Sequence, residues 1–194
     1  MRSDVKRKLS IILPCRNEEN IKQFVDEIAE MYPYAQIIVA NDPHGMGKGW
    51  AIRQGLPEAD GEFICFLDGD GEIDPRMIKR LFPFMEDYDI AVGVKPISGL
   101  LSRRILTFLS RYYIALCFNI KVDSQTGIKL FKRHTIPEFY NNGFLFDLEI
   151  LAVAKQNGYK MIEVPIEANV RRRMKLSSIW RTFKESITLW LELR

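Results

Sequence analysis

Six short apolar runs, at residues 9–13, 36–40, 63–67, 90–94, 127–131 and 160–164, recur along the chain and are rich in β-branched and aromatic residues. Most are continuous rather than alternating, the pattern of strands buried on both faces of a sheet. Helical periodicity fills the gaps between them. From residue 18 to 31, Ile21, Phe24, Val25, Ile28 and Met31 fall on one face at a 3.6-residue period. Pro75 suits the first turn of another helix, which Pro83 should end or kink. Residues 146–156 read as a third, with Gly158 as its stop. This alternation predicts an α/β layered domain with a mostly parallel central sheet flanked by helices. Ligands of such sheets gather beyond the carboxyl ends of the strands, so the loops after each run are the places to look for chemistry.

A chain of 194 residues with 47% hydrophobic and 27% charged side chains supports one core and excludes a disordered or collagen-like polypeptide. We expect residues 1–194 to form a single domain with a specialised second half. Cys15, Cys65 and Cys117 are odd in number and far apart, which disfavours a disulfide framework or a zinc site and suits a reducing cytoplasm. The first apolar run is too short for the core of a secretory leader. No uncharged apolar stretch approaches the roughly 18–20 residues of a membrane span, so a chain that does not cross a membrane is expected. The net charge of +3 is unevenly spread: residues 1–98 carry 12 Lys/Arg against 17 Asp/Glu, and residues 99–194 carry 16 against 8. An acidic half beside a basic half suits a site where a cation meets several phosphates, or a face that approaches anionic lipid.

The strongest local signal is Phe63-Ile-Cys-Phe-Leu-Asp68-Gly-Asp70-Gly-Glu72. Carboxylates crowded at the end of a buried strand repel one another unless a cation lies between them. Mg²⁺ or Mn²⁺ takes one or two carboxylates and completes its shell with diphosphate oxygens. Gly69 and Gly71 would let the backbone approach a ligand closely. Asp74-Pro75, in contrast, reads as a helix cap and first turn. Pro14-Cys15-Arg16-Asn17-Glu18-Glu19 follows the first run, and there Asn17 could simply cap a helix whose dipole the glutamates favour. Asn41-Asp42-Pro43-His44-Gly45-Met46-Gly47-Lys48-Gly49 follows the second and suggests a flexible loop near phosphate or sugar. Its glycine spacing is not that of a P-loop.

Taken in order, Pro-x-x-Asn-Glu, the Gly-Lys-Gly-x-Ala-x-Arg-x-Gly stretch from Gly47 to Gly55 and the Asp-x-Asp strand end resemble family 2 glycosyltransferases of the GT-A fold. The second half is most similar to dolichyl- or polyprenyl-phosphate mannose or glucose synthases. It carries Val122-Asp123-Ser-Gln-Thr126-Gly127-Ile-Lys129, Phe146-Asp147-Leu-Glu149, Glu163-Val-Pro165-Ile and the basic run Arg171 to Lys175. The resemblance implies roles position by position. Pro14, Arg16 and Glu18 would contact the nucleoside, with Asn41 or Asp42 near the nucleobase. Asp68, Gly69 and Asp70 would meet metal and diphosphate, with Glu72 a further metal ligand and Lys95 a phosphate contact. Arg171 and Lys175 would engage the donor diphosphate and, with Asp70, carry catalysis. Arg103, Arg104, Lys129 and Arg133 are the candidates for the acceptor phosphate. Two departures stand out: only eight positions separate Val39 from Gly47, where the family carries a further helix and strand, and Ala40-Asn41-Asp42 replaces its paired aspartates.

The expected activity is therefore metal-dependent transfer of mannose or glucose from a GDP-mannose- or UDP-glucose-type donor to a polyprenyl or dolichyl phosphate. Residues 1–98 would hold donor and metal, and 99–194 acceptor and membrane surface. Inversion at the sugar carbon follows from the resemblance alone. An acceptor phosphate is already ionised near neutral pH and needs positioning by basic groups more than deprotonation. If the acceptor is instead a glycan or lipid hydroxyl, Asp123 or Asp147 becomes the candidate base. A third reading is a non-catalytic nucleotide- or lipid-binding subunit. Residues 100–120, apolar on most faces and punctuated by Arg103, Arg104 and Arg111, read either as an interfacial helix or as a core or dimer helix. Residues 178–194 are a second amphipathic candidate. The expected location is peripheral, on the cytoplasmic face of a membrane, with a membrane or homo-oligomeric partner. The basic run lacks the aromatic or zinc-ligand company of a nucleic-acid site, so no nucleic-acid partner is expected.

Overall fold

The computed structural model describes residues 9–16, 18, 20–95, 101–143, 145–167 and 176–193. Each apolar run becomes a strand: β1 Leu9–Cys15, β2 Gln36–Asn41, β3 Phe63–Leu67, β4 Ile90–Val94, β5 Ile128–Lys132 and β6 Met161–Pro165. Helices α1 Ile21–Met31, α2 Lys48–Gly55, α3 Met77–Leu81, α4 Leu101–Phe118, α5 Phe146–Gln156 and α6 Leu176–Glu192 complete the described elements. The strands form one six-stranded sheet in the order β2-β1-β3-β5-β4-β6. Pairings β1–β2, β1–β3 and β4–β6 are parallel, whereas β5 runs antiparallel to both β3 and β4. The mostly parallel sheet expected from the sequence is thus present with one strand reversed. That reversal matters, because it brings the start of β5, rather than its end, to the carboxyl edge: Ile128 lies opposite Leu67.

Successive strand residues face opposite sides, and both sides are covered. Ile11, Leu13, Cys65 and Leu67 pack with Phe24 and Ile28 of α1 and Ile78 and Leu81 of α3. Ile12, Ile64 and Phe66 pack with Ile52 of α2, Ile114 of α4, Phe146 and Leu151 of α5, and Leu189 of α6. The result is a three-layer α/β/α arrangement, which is why the strands read as continuous apolar runs.

Local punctuation explains the helix ends. Pro75 lies in the turn before α3, where Asp74 accepts the Arg76 N–H at 2.8 Å. Pro83 sits in the 3₁₀ turn Phe82–Met85 that ends α3. Gly158, at φ 84°, takes the left-handed conformation just beyond α5. On the outer layer, α4 meets α6 through the Tyr113 and Phe183 rings, 5.1 Å between centroids, and through the Tyr113 and Ser186 hydroxyls, 3.2 Å apart. Among the described residues no helix is long and apolar enough to cross a membrane. The cysteines are free; Cys15 and Cys65 are buried, and burial raises both thiols above their ordinary range.

Candidate active site

The carboxyl ends of β1, β2 and β3 set three loops side by side, in register with Pro14 opposite Ala40 and Cys15 opposite Asn41. Arg16 and Glu18 follow β1, and the Glu18 carboxylate accepts the Arg16 backbone N–H. After β2 the chain turns on Asp42. Its carboxylate is buried and accepts the Met46 and Gly47 N–H groups, each at 2.8 Å. Burial pushes this carboxyl upward, but the backbone donors and the nearby Arg16 outweigh it and hold it below the usual range. The Arg16 guanidinium lies over Gly45, so close that a Cβ there would sit 2.6 Å from its Nη2. Asp42, expected near a nucleobase, is therefore spent on folding its own loop, and exposed Asn41 is the neighbour left facing outward.

The Gly-Lys-Gly element that opens α2 has a packing purpose that the sequence reading missed. A Cβ on Gly47 or Gly49 would collide with the carbonyl oxygens of Asn142 and Asn141, and the Gly49 N–H donates to Asn142 O at 2.9 Å. The segment contacting it is fixed in turn. Arg53 donates to the Phe139 carbonyl at 3.2 Å and to the Asn142 side chain. Buried Glu149 accepts the Tyr140 and Asn141 N–H groups at 2.9 and 2.8 Å. These glycines let two backbone segments meet; the loop is braced rather than flexible.

Between them Lys48 points at the end of β3. Its Nζ lies 2.6 Å from Asp68 Oδ1 and 3.6 Å from Asp147 Oδ2, with the Phe146 ring centroid 5.3 Å away. Asp147 Oδ1 meets Lys129 Nζ at 2.8 Å, and Lys129 also donates to Thr126 O at 2.6 Å. The four charges alternate, Asp68–Lys48–Asp147–Lys129, and their side-chain exposure falls inward from 32% to 19%, 7% and 2%. Burial draws Lys48 downward, but Asp68 and then Asp147 outweigh it, so its ammonium is held above the ordinary lysine range. The Asp68 N–H donates to Gly127 O at 2.9 Å, and a Cβ at 127 would press on the Asp68 carboxylate and displace it. Reversed β5 is what delivers Gly127 to this point.

On the other side, Asp70 Oδ1 accepts the Glu72 N–H at 3.0 Å, and Glu72 pairs with Lys95 at 3.4 Å. The structure thus gathers Pro14, Arg16, Glu18, Asn41, Asp42, Asp68, Gly69, Asp70, Glu72 and Lys95 along one edge. The expected metal set Asp68/Asp70/Glu72 does not close: among the described residues no three acidic, histidine or cysteine groups converge to hold an ion, and Glu72 engages Lys95.

The acceptor set is not brought together. Lys129 is wholly buried beneath the site with its ammonium on Asp147 and Thr126, which corrects its expected role as a phosphate contact. Arg133 lies just past the far end of β5, its Nε donating to Gly61 O at 3.0 Å. Lys132 pairs there with Phe63 at the start of β3, so Arg133 stands at the opposite end of the strand from Asp68. That placement corrects its expected role too. Arg103 and Arg104 belong to the first turn of α4, and their side chains lie outside the described residues, as do Arg171 and Lys175 altogether. Asp147, the alternative base, has each oxygen against an ammonium group, which makes it a brace for Lys48. Lys48 itself was missed. The signal was the lone lysine between two glycines, a cation flanked by residues that permit close packing.

Residues 20–151 match the profile described as Glycosyl transferase family 2. The chain belongs to that family. Curated relatives include two proteins of Trichomonas vaginalis, dolichyl-phosphate beta-glucosyltransferase ALG5A, 30% identical over 187 residues, and ALG5D, 29% identical over 185. These alignments cover 87% and 84% of this family 2 chain and 57% and 55% of the relatives, so it spans little more than half their length. The dolichyl-phosphate beta-glucosyltransferase of Saccharomyces cerevisiae is 27% identical over 158 residues, 69% of this chain and 47% of its own. Among solved structures, Mycobacterium tuberculosis glucosyl-3-phosphoglycerate synthase superposes with a TM-score of 0.72 at 16% identity, covering 97% of this chain and 81% of that one. That likeness establishes the GT-A fold. The same synthase has been solved in complex with Mn²⁺ and UDP-glucose, again at TM-score 0.72, with 15% identity and coverage of 97% of this chain and 79% of that one.

Proposed function

We propose that this chain transfers glucose from UDP-glucose to a polyprenyl or dolichyl phosphate, with a divalent cation, at the cytoplasmic face of a membrane. The observation that carries the reading is the carboxyl edge itself, where Asp68 and Asp70 end a buried strand beside Lys48 in a family 2 chain. The names of the curated relatives favour glucose over mannose and a lipid phosphate over a glycan hydroxyl.

The residues fit Mg²⁺ or Mn²⁺. Asp68 keeps 32% of its side chain exposed, and two hard carboxylates are the usual protein share when a diphosphate supplies the other oxygens. Asp68 and Asp70 would hold the ion, which when bound would neutralise charge developing on the departing diphosphate. In the reaction an oxygen of the acceptor phosphate forms the new bond to the sugar anomeric carbon. The bond from that carbon to the diphosphate breaks, and UDP leaves with the electron pair. No proton needs to be removed from an ionised phosphate. Lys48 offers a fixed cation beside the donor diphosphate, which Arg171 and Lys175 are proposed to engage as well.

Membrane contact is assigned to α4 and α6. Phe108, Tyr112 and Leu116 repeat every four residues on α4 and are 62–73% exposed, and Phe183, Ile187 and Leu191 repeat likewise on α6 and are 40–62% exposed. The two rows are joined where Tyr113 touches Phe183. Paired apolar rows of this kind suit the headgroup–acyl boundary.

The test is transfer of labelled glucose from UDP-glucose to polyprenyl phosphate in vesicles with Mn²⁺. Asp70→Ala should lower the rate by about a hundredfold or more, and chelation should do the same. Undiminished transfer in Asp70→Ala would defeat the metal-site reading, and transfer to sugar hydroxyls but never to lipid phosphate would favour the other acceptor.

A further inference from the structure

The run Asp68-Gly-Asp70-Gly-Glu72 reads in sequence as carboxylates crowded for want of a cation, yet the fold has already placed lysines among them. Lys48 lies 2.6 Å from Asp68, and Lys95 lies 3.4 Å from Glu72. Lys48 is poorly placed to withdraw. It is the first residue of α2, its ammonium is also drawn to Asp147 at 3.6 Å, and Gly47 and Gly49 on either side are pressed against the backbone of Asn142 and Asn141. Asp147 in turn is fixed through its other oxygen by the buried Lys129. The cluster Asp68–Lys48–Asp147–Lys129 holds two negative and two positive charges. A divalent cation arriving alone would meet a neutralised carboxylate with an ammonium beside it.

We propose that Lys48 couples cation capture at Asp68 to arrival of the donor diphosphate, acting as a resident counter-charge that the diphosphate must satisfy before the cation binds tightly. A diphosphate brings negative charge that one ammonium and one divalent cation can share, so each partner makes a place for the other. This reciprocity is a coupling between two ligands through one side chain. It keeps Asp68 from holding a cation unproductively when no donor is present. The inference rests on the donor-site reading above and deepens it. Lys48 is a positioning residue for the Asp68 carboxylate and a direct contact for the diphosphate.

The experiment measures Mn²⁺ uptake by the full chain, by electron paramagnetic resonance of free Mn²⁺, with and without UDP and with neither sugar nor acceptor present. Wild type should bind Mn²⁺ at least tenfold more tightly when UDP is saturating. Lys48→Met should bind Mn²⁺ alone at least tenfold more tightly than wild type and lose most of the UDP enhancement, whereas Lys48→Arg should keep the wild-type pattern. Lys48→Gln, which removes the charge but keeps donors for both carboxylates, repeats the test should the methionine variant not fold. If wild type takes up Mn²⁺ only with UDP while neither neutral variant gains affinity for Mn²⁺ alone, the coupling is overturned and the metal site stands. If wild type takes up no Mn²⁺ even with UDP, the metal-site reading fails and the coupling with it.

Discussion

Along the carboxyl edge of the sheet, charged side chains are held by partners that cannot easily move: Asp42 by the Met46 and Gly47 N–H groups, Asp147 by Lys48 and Lys129, Glu72 by Lys95. Along α4 and α6 two rows of exposed apolar side chains run beside exposed polar ones: Phe108, Tyr112 and Leu116 on α4, and Phe183, Ile187 and Leu191 on α6 next to Lys184, Glu185 and Thr188. Those helices meet each other through the Tyr113–Phe183 rings and the Tyr113 and Ser186 hydroxyls, and Arg111 of α4 reaches Glu163 of β6 at 2.5 Å. One surface is preorganised for a highly charged ligand in water, where unpaired groups would otherwise reorient and cost affinity. The other presents apolar rows through which the proposed membrane contact would be made. The difference implies that substitutions at the edge act through electrostatics and folding, while substitutions on the exposed apolar rows of the helices act through partitioning and leave the fold alone.

Asp147→Ala should be the most damaging change. It leaves Lys129, 2% exposed, facing the Thr126 carbonyl without its carboxylate and frees Lys48 from its second anchor. Removing one partner of a buried pair costs about 3–5 kcal/mol, which thermal or urea unfolding would register. Replacing both members with apolar residues, Lys129→Met with Asp147→Leu, should recover part of that loss. Equal stability of the single variant and wild type would mean that the inner pair is not a brace. On the helical surface, Phe108→Ser with Leu116→Ser removes two side chains that are 66% and 73% exposed. Burying a large apolar side chain is worth about 1.5–3 kcal/mol, so vesicle binding should fall by about tenfold or more, with stability within about 0.5 kcal/mol of wild type. Flotation unchanged by the double substitution would remove the membrane assignment.

How far the sequence carried the reading differs between the same two regions. β3 and β4 are delimited by their apolar runs at both ends, because strands covered on both faces admit few polar residues. The reversal of β5 was not legible, since a buried antiparallel strand and a buried parallel one carry the same composition. Its consequence was therefore missed as well: Lys129 and Arg133 lie on a strand running inward from the site, which puts the first beneath it and the second at the far end. Asp68 was legible as a candidate site residue because an abrupt carboxylate after an apolar strand has few structural uses. Lys48 was not, because its partners Asp68 and Asp147 are 20 and 99 positions away, and it takes the packing of α2 on the sheet and on α5 to bring them together.

Asp42 offers a smaller and pH-dependent version of the contrast. Its carboxyl is held below the usual range in the folded chain, despite burial, by the two backbone donors and Arg16. A carboxyl whose folded value is depressed stabilises fully above its unfolded value, about 3.9, and that contribution is lost as pH falls through the folded value. Stability of the wild type should therefore decline as pH drops below about 4. Asp42→Asn, which keeps one acceptor oxygen but no charge, should cost about 1–2 kcal/mol at neutral pH and flatten that decline. A wild-type acid limb unaltered by the substitution would show that the loop does not depend on the ionised carboxylate.

The smallest effect belongs at the end of the sheet away from the site. Arg133 holds Gly61 O through its Nε and lies beside Leu56, Pro57, Ala59 and Ile136, with β5 between it and Asp68. Arg133→Ala removes one hydrogen bond and some side-chain packing, so a loss of about 0.5–1.5 kcal/mol in unfolding is expected. Because no part of that end faces the carboxyl edge, transfer to lipid phosphate and Mn²⁺ uptake with UDP should stay within about twofold of wild type, a difference of roughly 0.4 kcal/mol. A large loss of transfer at unchanged stability would place the acceptor at the opposite end of the sheet from the donor, a distance that direct transfer between the two cannot span, and would require the edge to be redrawn.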